Sequence, residues 1–126
     1  MTQTVYPTLR YRDPEGAIYW LERALGFIVE AEHRDDNDEI LHAELSFRGN
    51  RIMLGAVGSS QLPPSGPAWI YLVADDVDGL HGQAVEQGAE VVIPIKDMDY
   101  GSREFTVKDG DGHLWSIGTY QPDPAG

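Results

Sequence analysis

The chain has 126 residues, enough for one domain, and its 41% hydrophobic and 10% aromatic residues are typical of a folded rather than a disordered protein. Its 21 acidic and nine basic residues give a formal net charge of −12. This charge disfavours nucleic acid and anionic membranes as partners, because proteins bind both mainly through their Lys and Arg side chains. No apolar run reaches the ~20 residues of a membrane span, no secretory leader is visible and there is no cysteine, so we expect a cytoplasmic protein without disulfides, thiolate metal sites or a Cys nucleophile.

The first half of the chain predicts a strand, a helix and three further strands. Residues 5–11 alternate in the manner of a strand. Asp13 suits a helix N-cap, Pro14 suits the first helical position, and Gly26 is placed to end the helix. Turn-forming residues then separate three predicted strands, at 27–34, 40–47 and 51–56.

A stretch rich in Gly, Ser and Pro at 57–66 predicts a linker, after which the same order of elements begins again. Residues 69–73 predict a strand, and Asp75 or Asp76 is expected to cap a helix that ends at Gly88. The three strands predicted to follow lie at 90–93, 102–108 and 113–119.

Helix-capping, turn and strand residues of the first half recur in the second half 63 residues later, or 62 residues later in one case. The matching pairs are Asp13 and Asp76, Gly49 and Gly112, Leu54 and Ile117, and Gly26 and Gly88. Two βαβββ units, at 5–56 and 67–120, are therefore expected to form a single α+β domain over residues 1–126. Since one open sheet with one helix cannot cover both of its faces, we expect the units to form a curled mixed sheet around a cavity.

The hairpin at 100–118 contains the turn Asp109-Gly110-Asp111-Gly112 before the last strand. Together with the helix start at 75–77 and the helix end at 26–27, it resembles the vicinal oxygen chelate fold of the glyoxalase/bleomycin-resistance/dioxygenase superfamily. The resemblance covers about residues 5–120 and implies homodimerisation.

In the metal-dependent members of that superfamily, His, Gln or Glu side chains from the first and last strands of each unit hold an ion. The resemblance places these positions at Tyr6, Met53, Trp69 and Ser116. Such side chains do not build a site for Zn²⁺, Fe²⁺ or Mn²⁺, which take imidazole and carboxylate ligands. We therefore expect no metal cofactor and a pocket with aromatic surface instead.

Four other residues are candidates for the pocket. His42 and Glu44 share one face of a predicted strand, and they either supply two ligands to a displaced metal site or are polar residues on a solvated or cavity-lining face. Arg103 and Glu104 alternate on another strand, so only one of them can face the cavity. Glu104 there would favour a cationic ligand, and Arg103 a carboxylate or phosphonate.

Trp115 lies beside Ser116, and it is either an aromatic wall of the pocket or a residue of the core. The sequence contains no nucleophile elbow, phosphate loop or dinucleotide fingerprint.

The preferred interpretation is a small-molecule-binding protein that sequesters a cationic or aromatic drug or metabolite without turnover, as a homodimer. It is similar in its acidity and aromatic positions to the bleomycin-resistance proteins, which lack the metal, so a role in antibiotic resistance is implied. One alternative is a metal-dependent lyase, isomerase or dioxygenase centred on His42 and Glu44. Another is a metal-free lyase or isomerase with Glu44 or Glu104 as general base, which requires a raised carboxylate pKa.

Overall fold

The computed structural model describes residues 3–57 and 67–122. Most of the predicted linker, residues 58–66, therefore lies outside the described residues. The chain divides into two compact units, Met1–Gly66 (unit 1) and Pro67–Gly126 (unit 2). Each unit contains one four-stranded mixed sheet and one helical segment, which confirms the predicted α+β class.

Unit 1 contains β1 (Thr8–Tyr11), α1 (Pro14–Trp20) with a π-helical last turn (Leu21–Leu25), β2 (Ile28–Arg34), β3 (Ile40–Phe47) and β4 (Asn50–Ala56). Its strands lie in the order β1-β4-β3-β2. The β1–β4 pair is parallel, and the other two pairs are antiparallel.

Unit 2 contains β5 (Trp69–Val73), α2 (Val77–Glu86), β6 (Glu90–Asp97), β7 (Arg103–Lys108) and β8 (Leu114–Gly118). Its strands lie in the order β5-β8-β7-β6, with β5 and β8 parallel. Both units therefore have the predicted βαβββ order, and the same strand topology.

The helices begin and end at the residues that their chemistry favours. Asp13 and Asp76 each accept a hydrogen bond from the backbone N–H three residues later, at 3.1 and 2.9 Å. Asp76 is therefore the cap of α2, and Asp75 is not. Gly26 and Gly88 follow the two helices with φ of 82° and 81°, a conformation that costs glycine nothing.

Two strand boundaries differ from the predicted ones by more than one residue, and proline explains both. β1 begins at Thr8 rather than at residue 5, because Pro7 has no N–H to donate; its carbonyl accepts from Met53 N at 2.9 Å. β6 continues through Pro94 to Asp97, beyond the predicted end at residue 93. It can do so because it is the edge strand, where a missing N–H breaks no pairing with a further strand.

The turn before β8 is fixed to the core of unit 2 by Asp109. One carboxylate oxygen of Asp109 accepts from the N–H groups of Asp111 and His113, each at 3.0 Å. The other oxygen accepts from Trp115 Nε1 at 3.0 Å. Asp109 is 7% exposed and Trp115 is completely buried, so both polar groups depend on this bond.

Replacing Asp109 with Ala is expected to lower the free energy of unfolding by about 2–3 kcal/mol, because it removes the carboxylate that accepts from the buried Trp115 N–H and from two N–H groups of the turn. Urea denaturation followed by tryptophan fluorescence measures the change. Asp36→Ala, at an exposed turn residue, is the control and is expected to change stability by less than about 0.5 kcal/mol. Equal stability of the two variants would contradict this role of Asp109.

Candidate ligand-binding pocket

Alternation along the strands gives the sheet of unit 2 two chemically different faces. One face is completely buried and carries Phe105, Val107, Trp115 and Ile117. The neighbouring residues Glu104 and Ser116 therefore point to the opposite face, which we call the pocket face.

The pocket face carries an open pocket of about 390 Å³, within the size range of small-molecule sites. It is lined by Trp69, Tyr71, Tyr100, Glu104, Ser116, Tyr120 and Pro122. Four of these seven residues are aromatic, and Glu104 is the carboxylic acid among them. The arrangement can therefore bind a flat or cationic organic group.

Trp69 and Ser116 are the two positions in this unit that the sequence resemblance assigns to metal ligands, and their side chains bind each other. Trp69 Nε1 donates to Ser116 Oγ at 2.7 Å, and Ser116 Oγ lies 2.6 Å from Thr106 Oγ1. An indole N–H has no lone pair for a cation, and the Ser116 oxygen is already engaged. This donor set does not fit the divalent ion of the metal-dependent relatives.

Two tyrosines of the pocket also have internal partners. Tyr100 donates its hydroxyl hydrogen to Glu104 Oε1 at 2.8 Å, and this bond raises the pKa of Tyr100. Tyr71 donates to the carbonyl of Tyr120 at 2.7 Å, and burial, with a smaller contribution from the charge of Glu104, raises the pKa of Tyr71. Both phenols are therefore neutral at physiological pH.

The space between Glu104 and Tyr71 depends on Gly118, which pairs with Glu104 across β7 and β8. A Cβ atom on Gly118 would lie 2.6 Å from Glu104 Cγ and 2.6 Å from the Tyr71 hydroxyl oxygen. Glycine at this position therefore allows both side chains to take their places in the pocket.

The structure places Arg103 and Trp115 away from this pocket. Arg103 donates to Asp78 at 3.0 Å and to Asp97 at 3.1 Å, and the hydrogen bonds to these carboxylates raise its pKa. Of the two alternating residues, Glu104 lines the pocket. Trp115 is a core residue whose indole N–H donates to Asp109. Of the two roles that the sequence left open for Trp115, pocket wall or core, the structure has the core role.

Sequence reasoning missed Tyr71, Tyr100 and Tyr120. Tyr71 stands two residues after Trp69 on the same strand, so alternation alone could have found it. Tyr100 and Tyr120 lie outside the strands, where no periodicity indicates which way a side chain points.

The other predicted site residues belong to unit 1, at the positions that correspond to this pocket. The pairs His42–Gly55 and Glu44–Met53 in unit 1 match Glu104–Gly118 and Thr106–Ser116 in unit 2. Tyr6 directly precedes Pro7, the residue whose carbonyl bonds Met53 N. The duplication thus makes His42, Met53 and Tyr6 the equivalents of the pocket residues Glu104, Ser116 and Trp69, and Glu44 the equivalent of Thr106.

His42 and Glu44 lie on one face of β3, with His42 Nε2 3.5 Å from Glu44 Oε2. Arg51 donates to Glu44 at 2.8 Å and is the main cause of a lowered Glu44 pKa, with a smaller contribution from His42. Within residues 3–57 and 67–122, no group of three or more His, Asp or Glu side chains is placed to hold a metal ion.

A second pocket, of about 460 Å³, lies in unit 1 and is lined in part by Asp13, Glu15 and Asp38. These groups already have partners: Asp13 caps α1, and Arg34 binds Glu15 and the carbonyl of Asp38. The pocket of unit 2 is therefore the candidate site.

Comparisons with known proteins agree with the fold. A sequence model of the Glyoxalase/Bleomycin resistance protein/Dioxygenase superfamily matches residues 3–117. An uncharacterised protein of Mycobacterium bovis is 31% identical over 121 residues, which cover 89% of this chain and 80% of that protein.

Among solved structures, TioX from Micromonospora sp. ML1 is similar with a TM-score of 0.80 and 27% identity, over 94% of this chain and 100% of that one. A lactoylglutathione lyase from Agrobacterium tumefaciens gives a TM-score of 0.75 at 14% identity, over 94% and 93% of the two chains. None of the helices in residues 3–57 and 67–122 has the length and apolar character that crossing a membrane requires.

Replacing Gly118 with Ala is expected to displace the Glu104 side chain and the Tyr71 ring, because the added Cβ would lie 2.6 Å from an atom of each. NMR signals of the Tyr71 ring report the change. Gly82→Ala is the matched control: nothing lies within 4 Å of a Cβ there, so it should stabilise α2 by about 0.5–1 kcal/mol and leave the Tyr71 signals unchanged. Unaltered Tyr71 signals in the Gly118 variant would show that the pocket does not depend on this glycine.

Proposed function

The chain belongs to the Glyoxalase/Bleomycin resistance protein/Dioxygenase superfamily, and from its pocket we propose that it binds an aromatic or cationic small molecule without a metal. The pocket of unit 2 is the proposed site, and the ligand is a drug or metabolite that the protein sequesters without turnover. A role in antibiotic resistance follows if the ligand is a drug.

One observation carries this proposal: the pocket combines four aromatic residues with the single carboxylate of Glu104. Aromatic faces attract cations by ~0.5–2 kcal/mol per contact, and they stack on flat rings. The net charge of −12 also raises the concentration of cations near the protein. The aromatic rings and the negative charge of the protein therefore both favour a cationic ligand.

The enzyme alternatives have weaker support. A general base at Glu44 requires a raised pKa, whereas the hydrogen bond from Arg51 lowers it. A metal site at His42 and Glu44 has no third ligand of the His, Asp or Glu type among the described residues. The likeness to the lactoylglutathione lyase, at 14% identity, concerns the fold alone.

We further propose that the protein acts in the cytoplasm as a homodimer, as the superfamily resemblance implies. Sedimentation equilibrium tests the assembly, since a dimer has twice the chain mass of 13.9 kDa. A monomer at micromolar concentration would contradict this part of the proposal.

Binding of planar aromatic amines is expected to be unchanged by EDTA and to weaken about tenfold or more in Trp69→Ala, because Trp69 supplies an exposed aromatic surface to the pocket. Isothermal titration calorimetry with a panel of such compounds measures both effects. The control is Tyr19→Ala, at an exposed aromatic residue outside the pocket, which should leave binding unchanged.

Two results would count against the proposal. Absence of binding across the panel would remove its basis. Binding that is lost both with EDTA and in His42→Ala would favour the metal-dependent alternative instead.

A further inference from the structure

The hydrogen-bond donors of the pocket in unit 2 are already used inside the protein. The N–H of Trp69 goes to Ser116 at 2.7 Å, the hydroxyl hydrogen of Tyr100 goes to Glu104 at 2.8 Å, and that of Tyr71 goes to a backbone carbonyl at 2.7 Å. Ser116 is 7% exposed, and its oxygen is shared between Trp69 and Thr106. These groups have little to donate to a ligand.

The other lining residues add little donor capacity. Pro122 has no N–H, and the backbone N–H of Tyr120 donates to Ser102 at 3.0 Å. The Tyr120 side chain keeps a single rotatable hydroxyl, and Tyr120 is 50% exposed, so that hydroxyl can bind water as readily as a ligand.

Acceptors, by contrast, remain available. An ionised carboxylate offers about four lone-pair sites, and Glu104 uses one oxygen for Tyr100. Its second oxygen and its negative charge are left for a ligand. Lys96 stands opposite Glu104 in the β6–β7 pairing, but it forms no ion pair with Glu104 among the described residues.

We propose that the ligand of this pocket is an organic cation that carries N–H donors, a protonated amine or amidine on a flat ring, and that the pocket rejects oxyanions. This inference names the ligand class for the function proposed above and rests on that function. The N–H groups bind Glu104, while the ring lies against the aromatic side chains.

The selectivity follows from what each ligand class would find in the pocket. A carboxylate or phosphate would meet the charge of Glu104 with almost no donor to pair with, so it would lose its hydration without compensation. A quaternary ammonium keeps the attraction to the aromatic rings but cannot donate a hydrogen bond. A neutral alcohol donates one hydrogen bond without the charge that roughly doubles its strength.

Four ligands built on naphthalene substituted at position 2 test this ranking: the methylamine, its N,N,N-trimethyl derivative, the methanol and the acetate. Isothermal titration calorimetry at pH 7 in EDTA and low salt should give the methylamine an affinity about tenfold or more above that of the methanol. The trimethyl derivative should fall between these two, and the acetate should show no measurable binding.

Glu104→Gln is the decisive variant, because it keeps the size of the side chain and the acceptor for Tyr100 while it replaces the charge with an N–H₂ donor. The methylamine is expected to lose about tenfold in affinity and the methanol to keep or improve its affinity. Glu90→Gln is the matched control: Glu90 belongs to the same sheet but binds Lys108 at 3.3 Å outside the pocket. It should preserve the whole ranking.

The possible outcomes separate this inference from the function on which it rests. If the methanol or the acetate binds as tightly as the methylamine, or if Glu104→Gln leaves the ranking intact, the donor requirement is wrong while the pocket remains a binding site. If none of the four compounds binds the wild-type protein, the inference and the proposed function both fail.

Discussion

In unit 2 the parallel strands β5 and β8 bring the indole of Trp69 to the hydroxyl of Ser116, at 2.7 Å. The sequence resemblance assigns these two positions to metal ligands, and here the two side chains bind each other. An N–H donor cannot face a cation favourably, and it also fixes the orientation of the Trp69 ring. The hydrogen bond therefore places an aromatic ring where the resemblance assigns a metal ligand, and this ring lines the pocket.

Among the residues that line the pocket, Glu104 supplies the carboxylate on which the proposed ligand preference depends. The Glu104 carboxylate accepts a hydrogen bond from Tyr100, which raises the pKa of Tyr100, and its charge contributes to the raised pKa of Tyr71. Both neighbouring phenols therefore stay neutral. Gly118 provides the room in which Glu104 and Tyr71 meet. Substitutions at these positions would therefore change the chemistry of the pocket and leave the core intact, since the core of unit 2 lies on the other face of the sheet.

Sequence patterns predicted the fold closely where local chemistry decides the structure. The strands Ile40–Phe47 and Trp69–Val73 lie at the predicted positions, and the Asp76 cap and the Gly26 helix end depend on a few neighbouring atoms. The pattern failed at Pro94, because only the completed sheet shows that β6 is an edge strand. It could not choose between Arg103 and Glu104 either, since that choice depends on distant partners, Asp78 and Asp97 for Arg103.

The two units differ in the carboxylate that lies at this end of the sheet, and the two carboxylates are not at equivalent positions, since His42 corresponds to Glu104 and Glu44 to Thr106. In unit 1 the carboxylate at this end of the sheet, Glu44, is held by the guanidinium of Arg51 at 2.8 Å, so its charge is largely compensated within the protein. In unit 2 the carboxylate of Glu104 receives a hydrogen bond from the neutral phenol of Tyr100, which leaves its charge in place. A guanidinium competes directly with a cationic ligand, whereas a phenol does not. The duplicated backbone therefore gives both units the same register, and the uncompensated charge beside aromatic rings is what distinguishes unit 2 as the candidate site for the proposed cationic ligand.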